Sequence, residues 1–125
     1  MNQVLALTFY CDRNLISPSV QEIYLEFEGL SSVRVFCGVD GSSICWDNNE
    51  LQPFSMSEHG EFRVCNISKS DELWQQLIQK RLEKVYLAIL EIEKCIFGFK
   101  FVFSSCLELV IAHLGDELIF QKQLP

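Results

Sequence analysis

One strand-pair pattern occurs twice in this chain, in register and without gaps, at an offset of 74 residues. Phe27 falls on Phe101, Ser31 on Ser105, Val33 on Leu107, Val35 on Leu109, Cys37 on Ile111, Gly41 on Gly115 and Ile44 on Leu118. Apolar residues recur at every second position in both copies, the period of a strand with one buried face. Each copy reads as strand, tight connection, strand, Gly-containing turn and short strand. A repeat of this kind constrains the fold and carries no chemistry.

The strand pattern extends on both sides of the repeat. Val4 to Tyr10 reads as a first strand, followed by a connection rich in turn formers from Asp12 to Ser19. Ile23, Leu25 and Phe27 alternate with Tyr24, Glu26 and Glu28, and Val33, Val35, Cys37 and Val39 form the next strand. Asp40-Gly41 supplies a hairpin turn into Ile44–Trp46. The stretch from Asp47 to Glu61 is polar and is expected to be an irregular excursion, with Phe62 to Ile67 a short strand after it.

Ser70 is a candidate N-cap for an amphipathic helix over about 71–81, with Asp71 and Glu72 in its first turn and Lys80 and Arg81 at its end. Val85 to Ile92 is apolar on both faces, as expected of a central strand. Phe97, Phe99, Phe101 and Phe103 alternate through the following one. Leu107, Leu109, Ile111 and His113 share a face of the next, and Gly115-Asp116 turns into Leu118 to Phe120.

The expected architecture is α+β. Two related antiparallel β-meanders, at about 4–46 and 85–120, form a bent sheet or half-barrel around one helix, in a single domain of residues 1–125. Phe36 and Val110 hold equivalent outward positions, each preceded at a matching place by a charge, Arg34 or Glu108. They point to a second packing layer or a partner surface.

Composition narrows the function. The net charge is −7, so nucleic acid and anionic membranes, which both require a basic patch, are poor partners. Between Val35 and Phe62 stand Asp40, Asp47, Glu50, Glu58 and Glu61, with no Lys or Arg. This is a solvated loop face or a docking surface for a basic protein. Six cysteines, no Cys-x-x-Cys pair, ample apolar residues and a first segment without the features of a secretory leader favour reduced thiols and a cytoplasmic location.

Catalytic motifs are not evident, and the reading is of a protein that is not an enzyme and needs no cofactor or metal. Cys65, His59 and Glu61 make a conceivable nucleophile–base–carboxylate set. His113, Asp116 and Glu117 make a conceivable metal set. A core His113 hydrogen-bonded to a nearby carboxylate or carbonyl is the ordinary alternative.

Gly98-Phe99-Lys100-Phe101, Leu107-Glu108-Leu109 and Gly115-Asp116-Glu117-Leu118 together resemble the C-terminal half of small bacterial immunity proteins. These include the partners of contact-dependent growth inhibition toxins. The resemblance spans about 40 residues and implies a stoichiometric inhibitor that occludes the active site or substrate groove of one cognate toxin. Such a toxin is expected to be basic, in many cases a nuclease. Surface acids would then steer the encounter, with Asp40, Asp47, Glu50, Glu58, Glu61, Asp116 and Glu117 as candidates. Trp46 and Phe54 are candidate aromatic anchors, or else core fillers. The alternatives are a non-catalytic interaction or structural module and a small-ligand domain with a Phe-lined cavity. Two-sided apolar strands also allow a homodimer through an edge or a face.

Overall fold

The computed structural model describes residues 1–11, 14–15, 20–38, 43–55, 60–90, 95–114 and 117–123. Of 11, 14–15, 88–90, 95–97, 114, 117 and 122–123 it describes the backbone alone. The molecule consists mostly of antiparallel β-structure in two sheets.

The first sheet contains β1 (Gln3–Cys11), β2 (Asn14–Leu15), β3 (Glu22–Glu26), β4 (Val33–Cys37), β5 (Ile44–Asp47), β6 (Phe54–Ser55) and β7 (Glu61–Asn66). Its order is β5-β4-β3-β1-β7-β6, with β2 paired to β1. The second contains β8 (Leu82–Leu90), β9 (Cys95–Phe103), β10 (Glu108–Leu114) and β11 (Glu117–Gln123), in the order β11-β10-β9-β8.

The repeat is visible as two three-stranded meanders, β3-β4-β5 and β9-β10-β11, one in each sheet. Val35 and its counterpart Leu109 are both fully buried, as are Phe27 and Phe101 to within a few per cent. Pairing is not identical in the two copies. Val35 lies opposite Ile23, whereas Leu109 lies opposite Phe101 and not opposite Phe97, the counterpart of Ile23. The second copy makes a tighter connection through a 3₁₀ turn, Ser104–Cys106, with Ser105 and Cys106 at φ 67° and 60°. The slip is by an even number of residues, so each side chain keeps its face.

Both sheets contribute to one core. Val4, Ile23, Leu25 and Val35 from the first meet Phe99, Phe101, Phe103, Leu109 and Ile111 from the second. The rings of Phe27 and Phe103 lie 6.5 Å apart across this interior. The sheets are also joined at one margin, where the Leu118 N–H donates to the Val20 carbonyl at 3.1 Å.

Several sequence expectations change. The helix α1 runs only from Glu72 to Leu77, so among the described residues the fold is mostly antiparallel β with one short helix, and the expected one-helix α+β arrangement is met only loosely. Its N-cap is Asp71, which accepts from the Trp74 N–H at 3.2 Å, while the Ser70 hydroxyl donates to the Ile67 carbonyl. Gln79 at φ 71° turns the chain away, which puts Lys80 and Arg81 beyond the helix. Trp74 and Leu77 still pack inward, Trp74 edge-on to Phe120 at 5.1 Å.

Residues 85–90 do not form a central strand. They belong to β8, at the edge of the second sheet, with Val85, Tyr86 and Leu87 about half exposed. The excursion from Asp47 to Glu61 contains the short pairing of β6 with β7. The Asp40-Gly41 and Gly115-Asp116 turns lie outside the described residues.

Candidate functional site

Pairing registers sort the side chains of the first sheet onto two faces. Val4, Ala6, Ile23, Leu25 and Val35 face the second sheet, and all are buried. Opposite them lies an outer face made by Gln3, Leu5, Glu22, Tyr24, Glu26, Arg34, Phe36 and Asp47. Residues 48–53 link β5 at one edge with β6 at the other, and Glu50 and Leu51 share a hollow of about 310 Å³ with Gln3, Leu5, Tyr24, Glu26 and Val64. Leu51 is buried there, which fastens the connection to the sheet.

This outer face is acidic. Glu22, Glu26, Asp47 and Glu50 lie on it, and Arg34 is the cation set among them. The Arg34 guanidinium donates from Nε to Asp47 at 2.8 Å and from Nη1 to Glu22 at 2.9 Å, with a further bond from Nη2 to Asp47. It also lies over the Phe36 ring, 4.3 Å from the centroid. This bidentate pairing holds the Asp47 carboxyl below the usual carboxylate range. Glu26 accepts from the Gln3 amide. The predicted aromatic Phe54 lies at the far end of the same face, about half exposed and stacked on Phe62 at 4.6 Å, with Phe9 5.2 Å from Phe62.

The structure therefore brings Asp47, Glu50 and Phe54 to one face and adds Glu22 and Glu26. Strand parity marked Glu26 only as a solvent-facing position, and Glu22, just before the alternating run, carried no signal of its own. Trp46 does not join them. It lies opposite Val35 on the inner side of edge strand β5, 56% exposed. With Val33, Val35, Val85, Leu87, Phe99 and Phe101 it lines an apolar cleft of about 250 Å³ between the sheets. Trp46 and Phe54 are thus at opposite edges and on opposite faces, and do not form one anchor pair. Neither is a core filler.

Glu61 also departs from the expected patch. Its partner in β1 is Tyr10, on the opposite face from Phe62, and it pairs with Arg63. Arg63 in turn lies 4.6 Å from the centroid of the Tyr10 ring. The Cys65 thiol is engaged by the Thr8 hydroxyl at 3.4 Å and the Tyr10 hydroxyl at 3.5 Å, and its presence holds the Tyr10 hydroxyl above the ordinary tyrosine value. Glu61 and Cys65 are four residues apart along one strand, about 13 Å, and Glu61 is committed to Arg63. They do not assemble as a nucleophile and its orienting carboxylate. Asp40, Glu58, His59 and Asp116 lie outside the described residues, and of Glu117 only the backbone is described.

His113 is half-buried near the end of β10, opposite Leu118 and on the strand face of Leu109 and Ile111. Among the described residues no three His, Cys, Asp or Glu side chains group as a metal site. Cys45, Cys65 and Cys106 are free thiols, the first two half-buried and Cys106 exposed. No helix among the described residues is long and apolar enough to cross a membrane. In comparisons with known proteins, no family model, no curated protein and no solved structure matches this chain.

Proposed function

We propose that this chain is a non-catalytic protein-binding domain, and specifically a cytoplasmic immunity protein that neutralises a cognate basic toxin, such as a nuclease. The acidic outer face of the seven-stranded sheet carries this reading. Glu22, Glu26 and Asp47 lie on the paired strands β3 and β5, and Glu50 on the connection that buried Leu51 fastens to the sheet, so their backbone positions are set before any partner arrives. Acids so arranged accelerate encounter with a cationic surface and disfavour anionic ones. Phe54, stacked on Phe62 and exposed at one end, offers a rigid apolar contact beside the charges. The toxin is inhibited by coverage of its active site or substrate groove, with no chemistry by the inhibitor.

The test is survival. Cells expressing this chain should withstand induction of the toxin encoded immediately upstream, and cells expressing Glu26→Lys/Glu50→Lys should lose at least tenfold in survival. Equal killing with and without the wild-type chain would contradict the reading.

A further inference from the structure

Among the described strands, β8 combines length with an open edge. It runs nine residues and, among the described strands, pairs with β9 alone. The opposite margin of the same sheet differs, because β11 is tied to Val20. At the margins of the other sheet β5 and β6 span only four and two residues. Proteins ordinarily blunt a long open edge, since its unpaired N–H and C=O groups template a further strand. Here the centre of the edge is apolar on both sides, after the exposed charges Glu83 and Lys84 at its start. Val85 and Leu87 form one lip of the apolar cleft, and Tyr86 projects from the other face, all about half exposed.

The pairing of β8 with β9 shifts register twice, between Leu82 and Lys84 and between Ala88 and Ile89. Those irregularities bracket one regular stretch, Lys84–Ala88, with Tyr86 at its centre.

We infer that β8 is a self-pairing edge: two copies of this chain join antiparallel through Lys84–Ala88 about a two-fold axis at Tyr86, merging their four-stranded sheets into one. In this register Val85 lies opposite Leu87 of the second copy and Leu87 opposite Val85, so the half-exposed lips of the two clefts cover each other. The two Tyr86 rings meet on the other face. Lys84 lies opposite Ala88, so no like charges face each other, whereas an axis at Lys84 would oppose two ammonium groups. The arrangement is isologous and closes at two copies. It uses neither the acidic outer face nor a toxin, so it stands or fails independently of the function proposed above.

Light scattering on the full chain at about 100 µM should give twice the 14.4 kDa chain mass. Leu87→Lys, at an exposed site, should raise the dimer dissociation constant at least tenfold with an unchanged circular dichroism spectrum. Phe54→Ala should leave the mass at that of the dimer. Cysteine cross-linking reads the register, in a Cys106→Ser background that removes the thiol exposed among the described side chains, with the same background lacking any added cysteine as the control. Tyr86→Cys should oxidise to a covalent dimer, since residues directly opposite lie about 4.5–5.5 Å apart at Cα. Lys84→Cys should not, because its counterpart is about 14 Å away along the strand. A wild-type monomer would overturn the inference and leave β8 to another chain or to none. A dimer indifferent to Leu87→Lys, or one that cross-links at Lys84→Cys and not at Tyr86→Cys, would overturn it equally.

Discussion

At the scale of single residues, the outer face depends on Arg34, which neutralises part of the acidity and fixes what remains. Asp47 is held below its ordinary value of 3.8 by the Arg34 guanidinium. A carboxyl with a lowered folded-state value stabilises above its unfolded value and loses that contribution as pH falls through the folded one. Asp47→Asn should therefore unfold more easily than wild type at pH 7, and the difference should vanish as the pH is taken well below 4. Thermal melts across that range check it. Gly60 shows a different constraint. It adopts φ 114°, and a Cβ there would come within 2.6 Å of both the Phe9 ring and the Tyr10 carbonyl. Gly60→Ala should cost about 2 kcal/mol or more, combining backbone strain with a clash, as read by urea denaturation.

At the scale of elements, sequence parity was a sound guide to which side of a strand faces inward and a poor guide to where the strand sits. Phe27, Val35, Phe101 and Leu109 are buried as alternation requires. The two-sided apolar run at Val85–Leu87 suggested a central strand because burial on both faces is its usual cause, yet it lies at an edge. Neither periodicity nor composition encodes the neighbour of a strand. The same gap hid the separation of Trp46 from Phe54, which are eight residues apart in sequence but belong to opposite sheet edges. Helix length was overestimated for a local reason, since Lys80 and Arg81 suit a helix end but Gln79 turns the chain before reaching them. Asp71 caps the six-residue α1 through the Trp74 N–H. Asp71→Ala should destabilise by about 1 kcal/mol, more than Ser70→Ala, and equilibrium unfolding of the two variants decides it.

At the scale of the whole molecule, the two meanders bury their repeated positions in a common interior, and the chain's charge is carried outside it. Phe101 is 2% exposed within the core that both sheets share. Phe101→Ala should cost about 3–5 kcal/mol and lower the unfolding midpoint of both sheets together, which tryptophan fluorescence and far-ultraviolet dichroism would show as one transition. Separate transitions would mean that the halves do not depend on each other. The repeat and the inward faces were thus legible in the chain, while the acidic face was legible only in part. Asp47 and Glu50 stood out as acids without nearby bases, but the contribution of Glu22 and Glu26 depends on a tertiary arrangement in which residues 48–53 share a surface with β1 and β3. The most direct measurement is the association rate with the upstream-encoded toxin in catalytically inactive form, for wild type and for Glu26→Lys/Glu50→Lys, at low and high salt. The acidic-face account predicts at least a tenfold slower association for the variant at about 20 mM salt, narrowing towards equality at about 500 mM as screening shortens the reach of the charges. Equal rates at low salt would contradict it.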